Sequence, residues 1–149
     1  MKIEDEIKQK KFNSEYTKLI INLVYTGNKM NFKTNELLKV KNLTIQQYNV
    51  LRILRGQHPN PSTVNMIIDR MLDKMSNASR IIDKLEDKKL VVRKINFEDK
   101  RCADVMISEK GLELLKKLDS EINNNEKSYI HLNLQEVKIL NDLLDKLRG

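Results

Sequence analysis

Hydrophobic positions repeat at helical spacing along most of this chain and change period only once. Phe12, Tyr16, Leu19, Ile20, Leu23, Val24 and Gly27 predict a long helix over about 13–30, with Ser14 near its start. "FKTNELLKVKN" predicts a short helix from Thr34 to about Val40. Thr44 is placed to cap a third helix, whose apolar positions are Ile45, Tyr48, Leu51 and Leu54 with Val50 and Ile53. Gly56, Pro59 and Pro61 stop it. Two short helices follow. One covers about Ser62 to Leu72 on Val64, Ile67, Ile68 and Met71, and Asp73 is placed to cap the next. The buried stripe of that next helix is read as Met75, Ala78, Ile82 and Leu85.

After Leu90 the period falls from 3.6 to 2. Val91, Arg93 and Ile95 share one face of a strand, and Ala103, Val105 and Ile107 share one face of another. The link "NFEDKR" lacks an Asn-Gly or Asp-Gly pair, so a protruding hairpin loop is expected in place of a tight turn. Ser108 caps a helix running to about 127 on Leu112, Leu114, Leu115, Leu118 and Ile122, with Glu109 at its positive end. Asn133 and Glu136 form a capping box for a last helix carrying Leu134, Val137, Leu140, Leu144 and Leu147.

Helix, helix, hairpin is the order of a winged helix-turn-helix. The expected fold class is mainly α with a small antiparallel β-hairpin, with N- and C-terminal helices forming a dimerisation region. Expected parts are 1–42 and 108–149 for dimerisation and 43–107 for DNA binding, within one compact domain. A major groove about 12 Å wide accepts one helix that is apolar on one face and bears small polar and basic groups on the other. The Met75/Ala78/Ile82/Leu85 helix leaves Lys74, Ser76, Asn77, Ser79, Arg80 and Lys84 outside, and these are the candidate DNA-binding residues. Asn suits a two-point contact with adenine, and Arg suits guanine or phosphate. Lys100 and Arg101 at the hairpin tip would reach the neighbouring minor groove or phosphates.

Charge agrees with a polyanion partner. The net charge is +7, and 28 Lys and Arg stand against 21 Asp and Glu. Ten of the basic and six of the acidic residues lie between Arg70 and Arg101, so four of the seven excess charges fall there. A lysine-rich surface of no special purpose would give similar totals, so charge alone does not decide.

The stretch "NFEDKRCADVMISEKGLELL" resembles the wing signature of the MarR family of bacterial transcription regulators, through Asp99, Arg101, Ser108, Glu109, Lys110 and Gly111. "SRIIDKLEDKKLVVR" resembles that family's recognition helix and first wing strand, through Arg80, Asp83, Leu85, Leu90 and Val91. The resemblance spans about residues 12–147. "RGQHPNPSTVNMIIDRM" departs from it, with an extended, proline-marked entry where members have a shorter polar link. Membership would imply a triangular homodimer with intertwined first and last helices, and a wing Arg held by a wing Asp. Two residues apart in an extended segment, Asp99 and Arg101 face the same way, and Asp99 would orient Arg101 for the duplex. As a plain surface ion pair they would contribute at most ~1 kcal/mol.

The end helices carry more apolar residues than one stripe needs. Leu19, Leu23, Ile139, Leu143 and Leu147 are the candidate dimer interface, with ordinary core packing as the alternative. A two-fold pair would set two reading helices about 34 Å apart on a near-palindrome. Five of the seven aromatics, Phe12, Tyr16, Tyr25, Phe32 and Tyr48, lie early. The family relation suggests a small aromatic effector, although core packing explains the cluster more simply.

His58 and His131 have no ligand-spaced neighbours and are expected to be structural or solvated, with no metal and no cofactor. Cys102 adjoins Arg101, where oxidation would perturb the tip, but a half-buried strand cysteine is the expected role. No catalytic arrangement is legible, so no enzyme activity is expected. One cysteine, no apolar leader in "MKIEDEIKQKK" and no run of roughly 18 apolar residues suggest a reducing cytoplasm without membrane attachment. The expected function is a MarR-like, sequence-specific repressor relieved by a small molecule. The alternative is a winged-helix protein-interaction module without DNA affinity.

Overall fold

The computed structural model describes residues 1–95 and 103–149. Two compact units form, 1–112 and 113–149. In the first, a one-turn helix α1 (Ile3–Glu6) precedes α2 (Glu15–Lys39), α3 (Ile45–Gln57), β1 (Ser62–Thr63), α4 (Val64–Arg70), α5 (Ala78–Asp87), β2 (Val91–Ile95) and β3 (Ala103–Ile107). Helix α6 (Glu109–Tyr129) leads into the second unit, which ends with α7 (Leu134–Arg148).

The cap-forming side chains place most helix starts. Ser14 accepts from the Thr17 N–H at α2, and Asn133 with Glu136 forms the expected capping box at α7. Thr44 with Gln47 forms another at α3, where Gln47 is itself buried. The α3 helix runs past Gly56 to Gln57, since a glycine inside a helix weakens it without stopping it.

The sheet has the order β1-β3-β2 and is antiparallel throughout. Val91 opposes Ile107 and Arg93 opposes Val105, as the period-two pattern requires. Val91, Val105 and Ile107 are buried, as are Leu51 and Leu54 of α3, Ile67 of α4, and Ile82 and Leu85 of α5. These layers close the core of the first unit. Gly111, in the first turn of α6, is required by contact. A Cβ there would run into the Leu90 carbonyl oxygen and stand 2.7 Å from Ile107 Cγ1.

Four further expectations need correcting. The expected pair of helices over 13–30 and 34–40 is one helix, because no breaker lies between them. Thr34 stays in register and donates its hydroxyl to the Met30 carbonyl, 3.1 Å away. The expected helix from Ser62 starts later, since Thr63 caps α4 while Ser62 and Thr63 pair with Val105 and Asp104. Asn77, not Asp73, caps α5. Met75 therefore precedes the helix and is exposed, so the buried stripe contains only Ala78, Ile82 and Leu85.

The one-turn α1 has no counterpart in the apolar pattern. Glu4 bonds Lys18 at 2.7 Å, and Glu6 accepts from Tyr25 at 2.5 Å and from Lys29 at 3.0 Å. The Tyr25 hydroxyl and the Lys29 ammonium hold the Glu6 carboxyl below its ordinary range.

Candidate nucleic-acid interface

The outer face of α5 is the centre of the candidate site. Burial of Ala78, Ile82 and Leu85 fixes its rotation, which leaves Ser79, Arg80 and Lys84 exposed. At its start, Asn77 Oδ1 accepts the Arg80 N–H at 3.0 Å. That cap orders the positive end of the helix but engages one of the two atoms that a two-point adenine contact would need.

The turn before α5 is bonded at several points. The Asp73 carboxylate accepts the Met75 N–H at 3.1 Å and the Ser76 hydroxyl at 2.7 Å. The Ser76 hydroxyl, followed by the Met75 N–H, holds the Asp73 carboxyl below its ordinary range. The Lys74 ammonium bonds the Ile68 carbonyl at 3.0 Å and also the Asp69 carbonyl, so it serves the end of α4. Ser76 and Lys74 therefore have structural duties that a spacing argument does not show.

Thr44, Gln46, Gln47, Ser76, Asn77, Arg80, Ile81 and Lys84 line a shallow groove of about 370 Å³ between the starts of α3 and α5. Two cations and the positive ends of two helices meet in it, an arrangement suited to anionic oxygens. Beside it, Lys88 donates to Gln47 Oε1 at 2.9 Å and to the Asn42 carbonyl. Burial pushes its ammonium below the ordinary lysine value, with the nearby Lys84 charge acting in the same direction.

One contact of the site is not legible from helix spacing. Arg93 of β2 reaches α5, where its guanidinium bonds Asp83 and lies 3.6 Å from Glu86 Oε2. The signal was present, because Arg93 occupies the otherwise apolar face shared by Val91. A charge on such a face implies a partner on the packed helix.

Asp99, Lys100, Arg101 and Cys102 lie outside the described residues. The interface candidates Leu19, Ile139, Leu143 and Leu147 are all exposed in the single chain, and Leu23 is half-buried. The aromatics have separate fates. Tyr48 is buried, as core packing predicts, Tyr25 bonds Glu6, and Tyr16 and Phe32 are exposed. His58 and His131 are exposed. Among the described residues no group of three or more His, Cys, Asp or Glu is placed to hold a metal ion, and no helix is long and apolar enough to cross a membrane.

Comparison with known proteins gives a consistent picture. The model of the MarR family matches residues 43–103. The HTH-type transcriptional regulator MhqR of Bacillus subtilis (strain 168) is 31% identical over 98 residues, 66% of this chain and 66% of that protein. A MarR transcription factor from Planctomyces limnophilus is 31% identical, with 91% of this chain and 98% of that one covered and a TM-score of 0.70. The fold also matches S. aureus MepR in a DNA complex, at 21% identity and a TM-score of 0.77, covering 92% of this chain and 97% of that one.

Proposed function

The chain belongs to the MarR family, and from that premise we propose that it is a homodimeric, sequence-specific DNA-binding regulator. It represses from a near-palindromic operator and is released by a small-molecule effector. It acts in the cytoplasm and catalyses no reaction. The observation that carries this reading is the division of α5, apolar and locked inward, with Ser79, Arg80 and Lys84 outward beside a cationic groove. A polyanion with a groove the width of one helix fits that surface.

Lys100 and Arg101, with Asp99 as orienter, belong to the reading on their sequence pattern. The pairing into a dimer rests on α7, which buries none of its residues although Ile139, Leu140, Leu143 and Leu147 are large and apolar. Exposed apolar area of that size on a helix calls for a partner, and a second copy of the same helix is the simplest. The effector rests on the family relation alone.

Selection of bound duplexes from a random pool tests the proposal. Recovery of a two-fold symmetric site supports it, and recovery of unsymmetric sites argues against a two-fold reader. A gel shift on random duplex across a salt series serves as the companion measurement. Affinity that falls steeply with salt fits phosphate contacts. No affinity at low salt would favour a protein-interaction module.

A further inference from the structure

Apart from Met1, the most exposed large hydrophobic side chains among the described residues are Met75 at 94% and Leu72 at 88%. Both lie in the short turn between α4 and α5. Its backbone is held at both ends by burial, through Met71 on one side and Ala78 on the other. It is also held along its length. The Leu72 N–H donates to Asn49 Oδ1 of α3 at 3.0 Å, and the Met75 N–H donates to Asp73. The two apolar side chains therefore project from a bonded backbone.

Their surroundings select the partner. Asp73, bonded to the Met75 N–H and the Ser76 hydroxyl, and Lys74 stand between the two; the positive end of α5 begins two residues after Met75, and the groove lined by Ser76, Asn77, Arg80 and Lys84 adjoins that helix start. An apolar protein groove would have to desolvate those cations and hydroxyls to reach two side chains. A surface that is anionic overall but carries isolated methyl groups avoids that cost. The major groove of DNA is such a surface, and the C5 methyl of thymine is its apolar group.

We infer that Leu72 and Met75 contact thymine methyl groups in the major groove, so that the turn, and not α5 alone, determines base preference. This rests on the reading that α5 enters the groove, and adds a preference for thymine at the positions met by the turn.

The test uses the full chain and the duplex recovered by selection. Each thymine is replaced in turn by deoxyuridine, which removes the methyl and keeps the pairing. At one or two positions per half-site the replacement should weaken binding by about fourfold, the effect of roughly one methyl-sized group. Met75→Ala or Leu72→Ala should abolish that sensitivity while leaving the Tm unchanged. A protein that binds its site but ignores every deoxyuridine overturns this inference alone. Variants that keep the full sensitivity overturn it as well. A drop in self-association of the variants would assign the two side chains to a subunit interface, again overturning it. Failure to bind any duplex would overturn both this inference and the reading of α5.

Discussion

Helices α5 and α7 are both amphipathic, and they leave opposite faces uncovered. The α5 helix has its apolar stripe enclosed, with Ala78, Ile82 and Leu85 at 3% exposure or less. Its polar face remains for contact. The α7 helix buries nothing, and Ile139, Leu143 and Leu147 are each more than half exposed. Its apolar face remains for contact. Amphipathicity therefore does not reveal what a helix is for. The face that the chain's own packing leaves open does, and here one face suits a polyanion and the other an apolar copy of itself.

The largest expected effect comes from charging the open face of α7. The double variant Leu143→Asp/Leu147→Asp should have the mass of one chain by sedimentation where the parent has that of two. Its affinity for a two-half-site duplex should fall about 100-fold or more, since paired binding is lost. An unchanged mass would mean that α7 is not the pairing surface. The same logic inverted applies to α5. Leu85→Ala should lower unfolding stability by about 2–5 kcal/mol in a denaturant titration, because Leu85 is fully buried. Leu143→Ala should cost much less in the separated chain. Equal costs would erase the contrast between the two helices.

A smaller effect is expected at the start of α6. Gly111→Ala must displace the Leu90 backbone or the Ile107 side chain, and backbone gives way poorly. A loss of about 1–3 kcal/mol is expected, read as a lowered Tm. A Tm equal to the parent's would show that the contact relaxes freely.

Legibility in the sequence followed how local the cause was. The β2 and β3 boundaries matched the period-two pattern, because alternation needs no knowledge of the partner. The caps Thr44 and Asn133 were legible because a side chain and its own backbone make the bond. Met75 misled because it stands three residues before Ala78, which is good helical spacing, although the helix had not yet begun. Two side chains competed for the cap, and Asn77 held it while Asp73 served the turn. The β1 strand was illegible because two residues become a strand only beside Val105 and Asp104. The ion pairs that hold α1 join residues 14 to 23 apart in the chain, beyond any local pattern. For the candidate site, the exposed residues of α5 were legible as the complement of its buried stripe. The duties of Lys74 and Ser76 were not, because their bonds depend on how the turn closes.

The smallest effect on stability, and the sharpest on the role of α5, is expected at Arg93. Its ion pairs with Asp83 and Glu86 are partly exposed, at 30% for Arg93, 57% for Asp83 and 44% for Glu86. Such pairs contribute about 1 kcal/mol or less, so Arg93→Gln should barely move the Tm. The electrostatic consequence is larger. Asp83 and Glu86 stand on a helix that is read here as meeting phosphates, and Arg93 is the cation that offsets them. Without it two carboxylates on α5 lose a paired cation, and on the proposed reading affinity for duplex should fall several-fold at low salt and less at high salt, where charges are screened. Adding Asp83→Asn to Arg93→Gln removes one of the two and should restore part of the lost affinity. Loss of Tm in proportion to loss of affinity, with no recovery in the double variant, would make Arg93 a packing residue and leave the balance of charge on α5 without a role.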